Sequence, residues 1–361
     1  MIELRHRLQF FLGANSADGF SSLYDRWIDQ EAVQAFYVIK GGAGCGKSTL
    51  MGRVAETMES EGYSVEYIRC SGDPDSLDGI FVPDKGVAMV DGTSPHVMDP
   101  AYPGATGHYI DLGRGYDIGE LFPLRNQVVE AVRAYQACYP AAYRCIRAAQ
   151  ESRRRGCHSM HSEETLTKTV KRGETILARE LKSSRGRMGR RHCRFLSGVT
   201  CQGRMLLTDT VELLCDHGYT IQDDCGLAGI FLAHLEARFL ESGYDVYACP
   251  SPEQPSRLEH LLVPDLALGF VTGMEKAEGF RTIHTESLVE KTLWQEGKSF
   301  LRLSNRVAEG LLAEGMEHLA QAKELHDRLE ALYRPYVDFS WAEEMAEQTI
   351  EAVLSLPDIS G

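Results

Sequence analysis

Eight consecutive residues, Gly41-Gly42-Ala43-Gly44-Cys45-Gly46-Lys47-Ser48, constrain this chain more than any others. They match the spacing G-x-x-x-x-G-K-[ST], and their flanks fit it. The apolar run Phe36-Tyr37-Val38-Ile39 reads as a strand before them, and Thr49-Leu50-Met51 opens a helix after them. A strand feeding a glycine-rich turn into a helix N-terminus aims several backbone N–H groups at one point, at the positive end of the helix dipole. Gly41, Gly44 and Gly46 allow close approach of the chain to a phosphate. In this pattern Lys47 is the point charge for the β and γ phosphates of ATP, and the Ser48 hydroxyl is a ligand for Mg²⁺. The expected nucleotide seat comprises Gly41, Gly42, Ala43, Gly44, Cys45, Gly46, Lys47, Ser48 and Thr49.

The chain also reads as one unit written twice. Phe11-Leu12-Gly13-Ala14-Asn15 resembles Phe195-Leu196-Ser197-Gly198-Val199, and Tyr37-Val38-Ile39 matches Tyr219-Thr220-Ile221. Leu50, Met51, Val54 and Met58 correspond to Phe231, Leu232, Leu235 and Phe239, each set spaced for one helical face. Both helices then reach a Gly-Tyr pair, Gly62-Tyr63 and Gly243-Tyr244, suited to a C-cap. Val82-Pro83-Asp84 aligns with Val263-Pro264-Asp265, and Val87-Ala88-Met89-Val90 with Leu268-Gly269-Phe270-Val271. Each unit continues into helical pattern. A long helix around Val128 to Ile146, interrupted or kinked at Pro140, precedes one at 163–182; a long helix at 303–333 precedes one at 342–354. Glu163-Glu164 and Glu343-Glu344 suit helix starts. The expected fold is α/β: two tandem P-loop NTPase-like three-layer domains, the second degenerate, each followed by a helical hairpin packed on or projecting from its own core. The divisions fall at 1–125, 126–184, 185–300 and 301–361.

Comparison of the two copies separates architecture from chemistry. Opposite the glycine-rich loop the second copy has Asp223-Asp224-Cys225-Gly226-Leu227-Ala228-Gly229, one residue shorter and without lysine. Two carboxylates there oppose polyphosphate, so the second half reads as a pseudo-domain. Asp91, ending the apolar run at 87–90, is expected to hold Mg²⁺ with Ser48; its counterpart is Thr272. His96 has no histidine counterpart and lies in a loop at the ligand end of the sheet. It is a candidate to position water or substrate, or caps a turn. Asp78 faces Glu259 in the repeat and reads as structural. Asp73 and Asp75 lack acidic counterparts and are candidates to engage an acceptor, or form Asx turns. Arg69, Arg114 and Arg125 are candidates to neutralise transition-state charge. The catalytic set is thus Lys47, Asp91 and His96.

Net charge is −14, unevenly spread: residues 133–194 hold 16 Lys/Arg against 5 Asp/Glu. That density could meet nucleic-acid phosphates, but a solvated helical arm complementing acidic domains is favoured. Tyr135, Tyr139 and Tyr143 are spaced for packing, and Ser183-Ser184-Arg185-Gly186-Arg187 reads as a flexible joint. Cys157, His158, His161, His192 and Cys193 fit no standard zinc spacing. The ten cysteines lack C-x-x-C pairs and read as reduced thiols. With no apolar run long enough for a membrane and a charged start, Met1-Ile2-Glu3-Leu4-Arg5-His6-Arg7, the expectation is a cytoplasmic protein without membrane association.

These residues carry a family resemblance. Phe11-Leu12-Gly13-Ala14-Asn15, Ile39 to Thr49, Cys70-Ser71-Gly72-Asp73-Pro74-Asp75-Ser76-Leu77-Asp78-Gly79 and Asp91-Gly92-Thr93-Ser94-Pro95-His96 resemble the tandem P-loop ATPases of Gram-positive bacteria. The resemblance spans nearly the whole chain, most specifically 10–125. It implies ATP binding by the loop and no established substrate. The leading expectation is a Mg²⁺-dependent ATP-binding protein that hydrolyses ATP at one site in its first half. The alternatives are a kinase for a small molecule or nucleotide, and an ATPase associated with nucleic acid.

Overall fold

A computed structural model describes residues 7–275 and 277–359. The charged start at 1–6 and Lys276, in the segment opposite His96, lie outside the described residues. The first half contains β1 (Leu8–Phe11), β2 (Gly13–Ser16), β3 (Gly19–Ser22), β4 (Ala35–Lys40), α1 (Lys47–Ser60), β5 (Glu66–Arg69), β6 (Leu77–Val82), β7 (Val87–Asp91) and β8 (Gly107–Asp111). A short α2 (Ile118–Leu121), a long α3 (Arg125–His158) and α4 (Glu163–Glu180) follow. The second half contains β9 (Arg191–Cys193), β10 (Ser197–Thr200), β11 (Gly203–Leu206), α5 (Thr208–Leu214), β12 (His217–Gln222), α6 (Ala228–Glu241), β13 (Val246–Pro250), β14 (Leu258–Val263), β15 (Leu268–Thr272) and β16 (Phe280–His284). It ends in α7 (Lys291–Tyr333) and α8 (Phe339–Ser355).

The two six-stranded mixed sheets share one topology. The first runs β1-β5-β6-β7-β4-β8, and the second, read from its other edge, runs β9-β13-β14-β15-β12-β16. In each, one strand (β6 or β14) is antiparallel to both neighbours, while the remaining pairs are parallel. Hairpins β2–β3 and β10–β11 repeat as well. The register repeats at the ligand end: Ile39 pairs with Asp91 and Ile221 with Thr272.

Strand alternation assigns each sheet two apolar faces. Tyr37, Ile39, Val87 and Met89 meet Leu50, Met51, Val54 and Met58 of α1. On the other face Phe36, Val38, Ala88 and Val90 join a cluster that includes Phe195, Leu262, Val271 and Phe280 of the second half. The inner faces therefore share one core, where two independent three-layer domains would each need a second helix layer. The halves meet near an approximate twofold axis. Phe11 and Phe195, equivalent in the repeat, exchange both backbone hydrogen bonds at 2.9 Å. Arg194 Nε lies 2.6 Å from Glu66 Oε1, both side chains being 4% exposed, and Trp27 Nε1 donates to the same oxygen at 3.1 Å.

The helical hairpins cross over rather than covering their own cores. Ala346 and Val353 of α8 are buried in the first half's outer cluster with α1. Ile176 and Leu177 of α4 are buried in the second half's outer cluster with α6. The long helices α3 and α7 run antiparallel between the halves: a Cβ at Gly156 would lie 2.7 Å from Ser304 Cβ, while Tyr135 meets His326 edge-on at 5.3 Å. Their contact buries Ala142, Ile146, Ala308, Leu312 and Leu319. α3 passes through Pro140 without interruption. Proline removes one donor to the Gln136 carbonyl, and both residues lie on the exposed side, where water can replace that bond. α7 begins at Lys291, and α8 at Phe339, so Glu343-Glu344 fall beyond its first turn; Glu163-Glu164 do occupy the first turn of α4, capped by Ser162. No helix is long and apolar enough to cross a membrane among the described residues.

Candidate functional site

β4 and β7 are parallel neighbours, so the loop after β4 and Asp91 at the end of β7 emerge side by side. Gly46 is the N-cap of α1 at φ 95°, and Gly44 has φ 68°, values that a side chain would strain. The Gly46 N–H meets no backbone acceptor among the described residues, and the Lys47 N–H is turned on the Cys45 sulfur. Lys47 Nζ folds over the loop, donating to the carbonyls of Gly41 (3.1 Å) and Gly42 (2.7 Å). It lies 3.6 Å from Asp91 Oδ2, and both side chains are 13% exposed. Asp91 Oδ1 accepts from the Thr93 N–H (2.9 Å) and hydroxyl (2.6 Å). Ser48 Oγ accepts the Leu77 N–H at 2.9 Å, which fixes it against β6. Cys45 is buried with Sγ 3.2 Å from the Gly42 carbonyl, and burial pushes its thiol pKa up. Thr49 is exposed at the start of α1.

His96 stands behind this site. Its Nδ1 is 2.8 Å from the Asp91 carbonyl, its Nε2 is 3.4 Å from Asp78 Oδ2, and Tyr24 donates to the same carboxylate at 3.0 Å. Burial disfavours charge on His96, but the adjoining Asp78 carboxylate outweighs it and pushes the imidazole pKa up to about 9. Burial likewise works against the Asp78 carboxylate, yet His96 and the Tyr24 hydroxyl hold it below its usual range. With both ring nitrogens engaged inside the protein, His96 buttresses the strand end that carries Asp91. Lys40 pins the same loop from outside, donating to the carbonyls of Gly92 (2.9 Å) and Met98 (2.6 Å).

Of the other candidates, the two carboxylates are spent on contacts between halves. Asp73 is 3.4 Å from Lys323 of α7, and Asp75 accepts from Gln202 Nε2 at 2.8 Å. Arg114 pairs with Asp111 at 4.0 Å, Arg125 lies over the Phe122 ring, and Arg69 has Asp75 and Asp209 as neighbouring charges. The cationic segment is dispersed into ion pairs: Arg153 with Glu253 and Glu309, Arg154 and Arg155 with Glu151, Arg185 with Asp265, and Arg187 with Asp245. The joint at 183–187 is bonded to the second unit, through Tyr244 Oη to the Ser183 carbonyl and Arg185 N–H to that of Ser242. Cys157 and His161 adjoin Gly226 and Cys225, whereas His192 packs against Tyr247, so these thiols and imidazoles do not converge. A cleft of about 220 Å³ opens beside Tyr24, Asp25 and Val97–Asp99, away from Lys47.

The sequence allows the second half to act as a regulatory or structural partner that closes over the site, but names no element for it. The cover comes from the second half's hairpin. Glu330 Cα lies 3.5 Å from where a Gly44 Cβ would be, and Ala342 Cβ 3.5 Å from that of Gly46. Tyr116, whose Oη donates to the Ala43 carbonyl at 3.4 Å, packs on Tyr333 with centroids 5.3 Å apart. Nothing in the periodicity of α7 or α8 names the core they serve, so this signal was absent from the sequence.

The second half supplies an internal comparison. Asp223 occupies the position after β12 that Gly41–Gly42 occupy after β4, and its carboxylate turns inward. Oδ1 accepts the Leu227 N–H at 2.8 Å and Oδ2 the Ala228 N–H at 3.0 Å, at the start of α6. Thr285 donates to Oδ1 at 2.9 Å, and Arg257 Nη2 stands 3.8 Å from Oδ2. The sequence had marked Asp223 as repelling phosphate; here it also sits as an anion in the N-terminal seat of α6. Asp224 is exposed, its carbonyl accepting from Asn305.

One family model matches the chain, that of Nephrocystin 3, N-terminal, over residues 20–78. The span runs from β3 through the glycine-rich loop and α1 into β6. The likeness to tandem P-loop ATPases has no counterpart among these matches. No curated protein and no solved structure matches the chain.

Proposed function

We propose that the first half is a P-loop NTPase-like unit that binds Mg·ATP and hydrolyses it, and that the second is a pseudo-domain without a nucleotide seat. The observation that carries this reading is the Asp223 carboxylate. It marks where an anion sits on this architecture, on the N–H groups of Leu227 and Ala228. The equivalent N–H groups in the first half, those of Gly46 and Lys47, carry no carboxylate among the described residues; that of Lys47 is turned on the neutral Cys45 sulfur. A lysine lies over that seat instead of a carboxylate. The family match over 20–78 includes this loop.

Ser48 and Asp91 fit a Mg²⁺ ion. Ser48 Oγ accepts one hydrogen bond and keeps a lone pair, while Asp91 Oδ2 faces Lys47 Nζ at 3.6 Å. Bound there, the ion would neutralise charge on the phosphate oxygens. Lys47 would exchange its Gly41 and Gly42 carbonyls for phosphate oxygens, and Thr93 and the His96 buttress would hold Asp91 in place. Hydrolysis is favoured over transfer to an acceptor because Asp73 and Asp75 are already paired with Lys323 and Gln202.

Calorimetry with Mg·ATP tests this. One site per chain is expected, with binding lost in Lys47→Ala and slow phosphate release lost with it. Two equivalent sites, or unchanged binding in Lys47→Ala, would refute the assignment.

A further inference from the structure

Phosphates seated on the N-terminus of α1 leave two routes for the rest of a nucleotide. One passes Gly42 and Ala43, where a Gly42 Cβ would lie 2.6 Å from Tyr116 Oη and Tyr333 packs behind. The other passes Thr49, beside Gly46 and the first turn of α8 at Trp341 and Ala342. Tyr333 at the end of α7 backs the first route, and the segment that follows it into α8 lies beside the second. It is fastened by three hydrogen bonds to the strip after β8. The Asp117 N–H donates to the Tyr336 carbonyl (2.9 Å), the Asp338 N–H to the Gly115 carbonyl (2.7 Å), and Trp341 Nε1 to the Asp111 carbonyl (2.9 Å). Trp341 also packs on Gly115, at 3.6 Å from a Cβ built there.

The rest of α8 is held differently. Ala346, Thr349 and Val353 are buried, the first and last within the outer core of the first half. The helix is thus anchored by its later turns and latched by its first, and the latch lies on the nucleotide's path. We infer that residues 336–342 form an autoinhibitory latch over the glycine-rich loop, released when a nucleoside triphosphate enters and relaxed while the later turns of α8 stay packed. This rests on the reading of the loop as a nucleotide seat. It makes the second half a regulator of the first through a contact in which the second loop takes no part.

The experiment pairs binding with local hydrogen exchange, using the full chain and Mg·ATP. Trp341→Phe keeps an aromatic ring and removes the N–H donor. A competent state populated only when the latch is open weakens apparent affinity by its population. Losing one latch hydrogen bond should therefore tighten Mg·ATP binding about fivefold. Wild-type amides at 336–342 should exchange faster once Mg·ATP is bound, while those at 346–353 keep their protection. Weaker binding by Trp341→Phe, or protection of 336–342 by the nucleotide, would overturn the latch and make the segment part of the bound site, leaving the loop assignment intact. If neither protein binds Mg·ATP, the loop assignment fails and the latch with it.

Discussion

Removing the Asp223 carboxylate should cost the second half its built-in anion without touching nucleotide binding. Asp223→Ala strips the acceptor from the Leu227 and Ala228 N–H groups, while Thr285 keeps the Gln222 carbonyl at 3.2 Å. A hydrogen bond to a charged group contributes about 1.5–3 kcal/mol, and a carboxylate at a helix N-terminus adds up to about 1 kcal/mol. Because one carboxylate makes all these contacts, they do not sum, and a loss of about 3 kcal/mol is expected. Asp223→Asn, which keeps one acceptor, should lose about 1 kcal/mol, the scale of an N-cap. Urea denaturation followed by circular dichroism reads both. Inorganic phosphate then serves as a chemical rescue. At 100 mM, with a dissociation constant of about 10 mM, it should restore about 1.4 kcal/mol to Asp223→Ala by mass action. The difference from wild type isolates the second seat, because phosphate can reach the first-half loop in both proteins. Affinity for Mg·ATP should stay within about twofold, since the loop at 41–48 is untouched. A loss below about 1 kcal/mol, or equal stabilisation of both proteins by phosphate, would refute the surrogate-anion reasoning.

Two further predictions concern buried charge. Glu66→Ala leaves Arg194 buried without its partner and removes the Trp27 acceptor; a loss of about 3–5 kcal/mol in urea denaturation is expected, and a loss below about 1 kcal/mol would show that water reaches the pair. His96, with its pKa raised to about 9 by Asp78, stabilises the fold fully below its unfolded pKa near 6.5 and loses that contribution as pH rises through about 9, an alkaline decline of about 3 kcal/mol. Asp78, whose pKa is lowered, acts oppositely: its contribution is present above its unfolded pKa and is lost as pH falls through the folded one. Stability of His96→Gln measured from pH 6 to 10 should lack the alkaline decline; an unchanged slope would place the titration elsewhere.

The sequence made the strand–loop–helix of the first half legible because its signals are local: an apolar run at 36–39, glycines at 44 and 46, and Lys47-Ser48 at fixed spacing. The repeat was legible for a related reason, since apolar spacing encodes which face of each element is buried. What periodicity does not encode is the partner of that face. Ala346 and Val353 look the same whether they pack on the second half or the first, and Phe36 and Val38 look the same under a helix or against Leu262 and Val271. The crossing hairpins and the shared core were therefore expected as separate domains with their own helices. For His96 the sequence leaves open a role with water or substrate and a turn cap, because a loop histidine near a strand end fits each; only the distances to Asp78 and the Asp91 carbonyl reveal the buried pair. Asp223 was located correctly and understood only in part, because its carboxylate's direction is set by the turn into α6.

The crossover gives the second unit a part in folding that requires neither a lysine nor a strand-end aspartate at its loop. Its outer core needs Ile176 and Leu177 from α4, and the first unit's outer core needs Ala346 and Val353 from α8. Each sheet also turns its inner face on the other, through Phe11 and Phe195 and the Glu66–Arg194 pair. Deleting either unit would expose the inner face of the other sheet and strip one helix from its outer face, a far larger loss of buried apolar area than any side chain at a ligand seat supplies. Selection on folding and selection on ligand binding thus act on different residues of the second half. The residues at 223–229 can drift so long as something satisfies the N-terminus of α6, and Asp223 does so within the chain. The hairpin at 291–355 cannot drift in the same way, because it is at once the wall of the first core and the cover of the first loop.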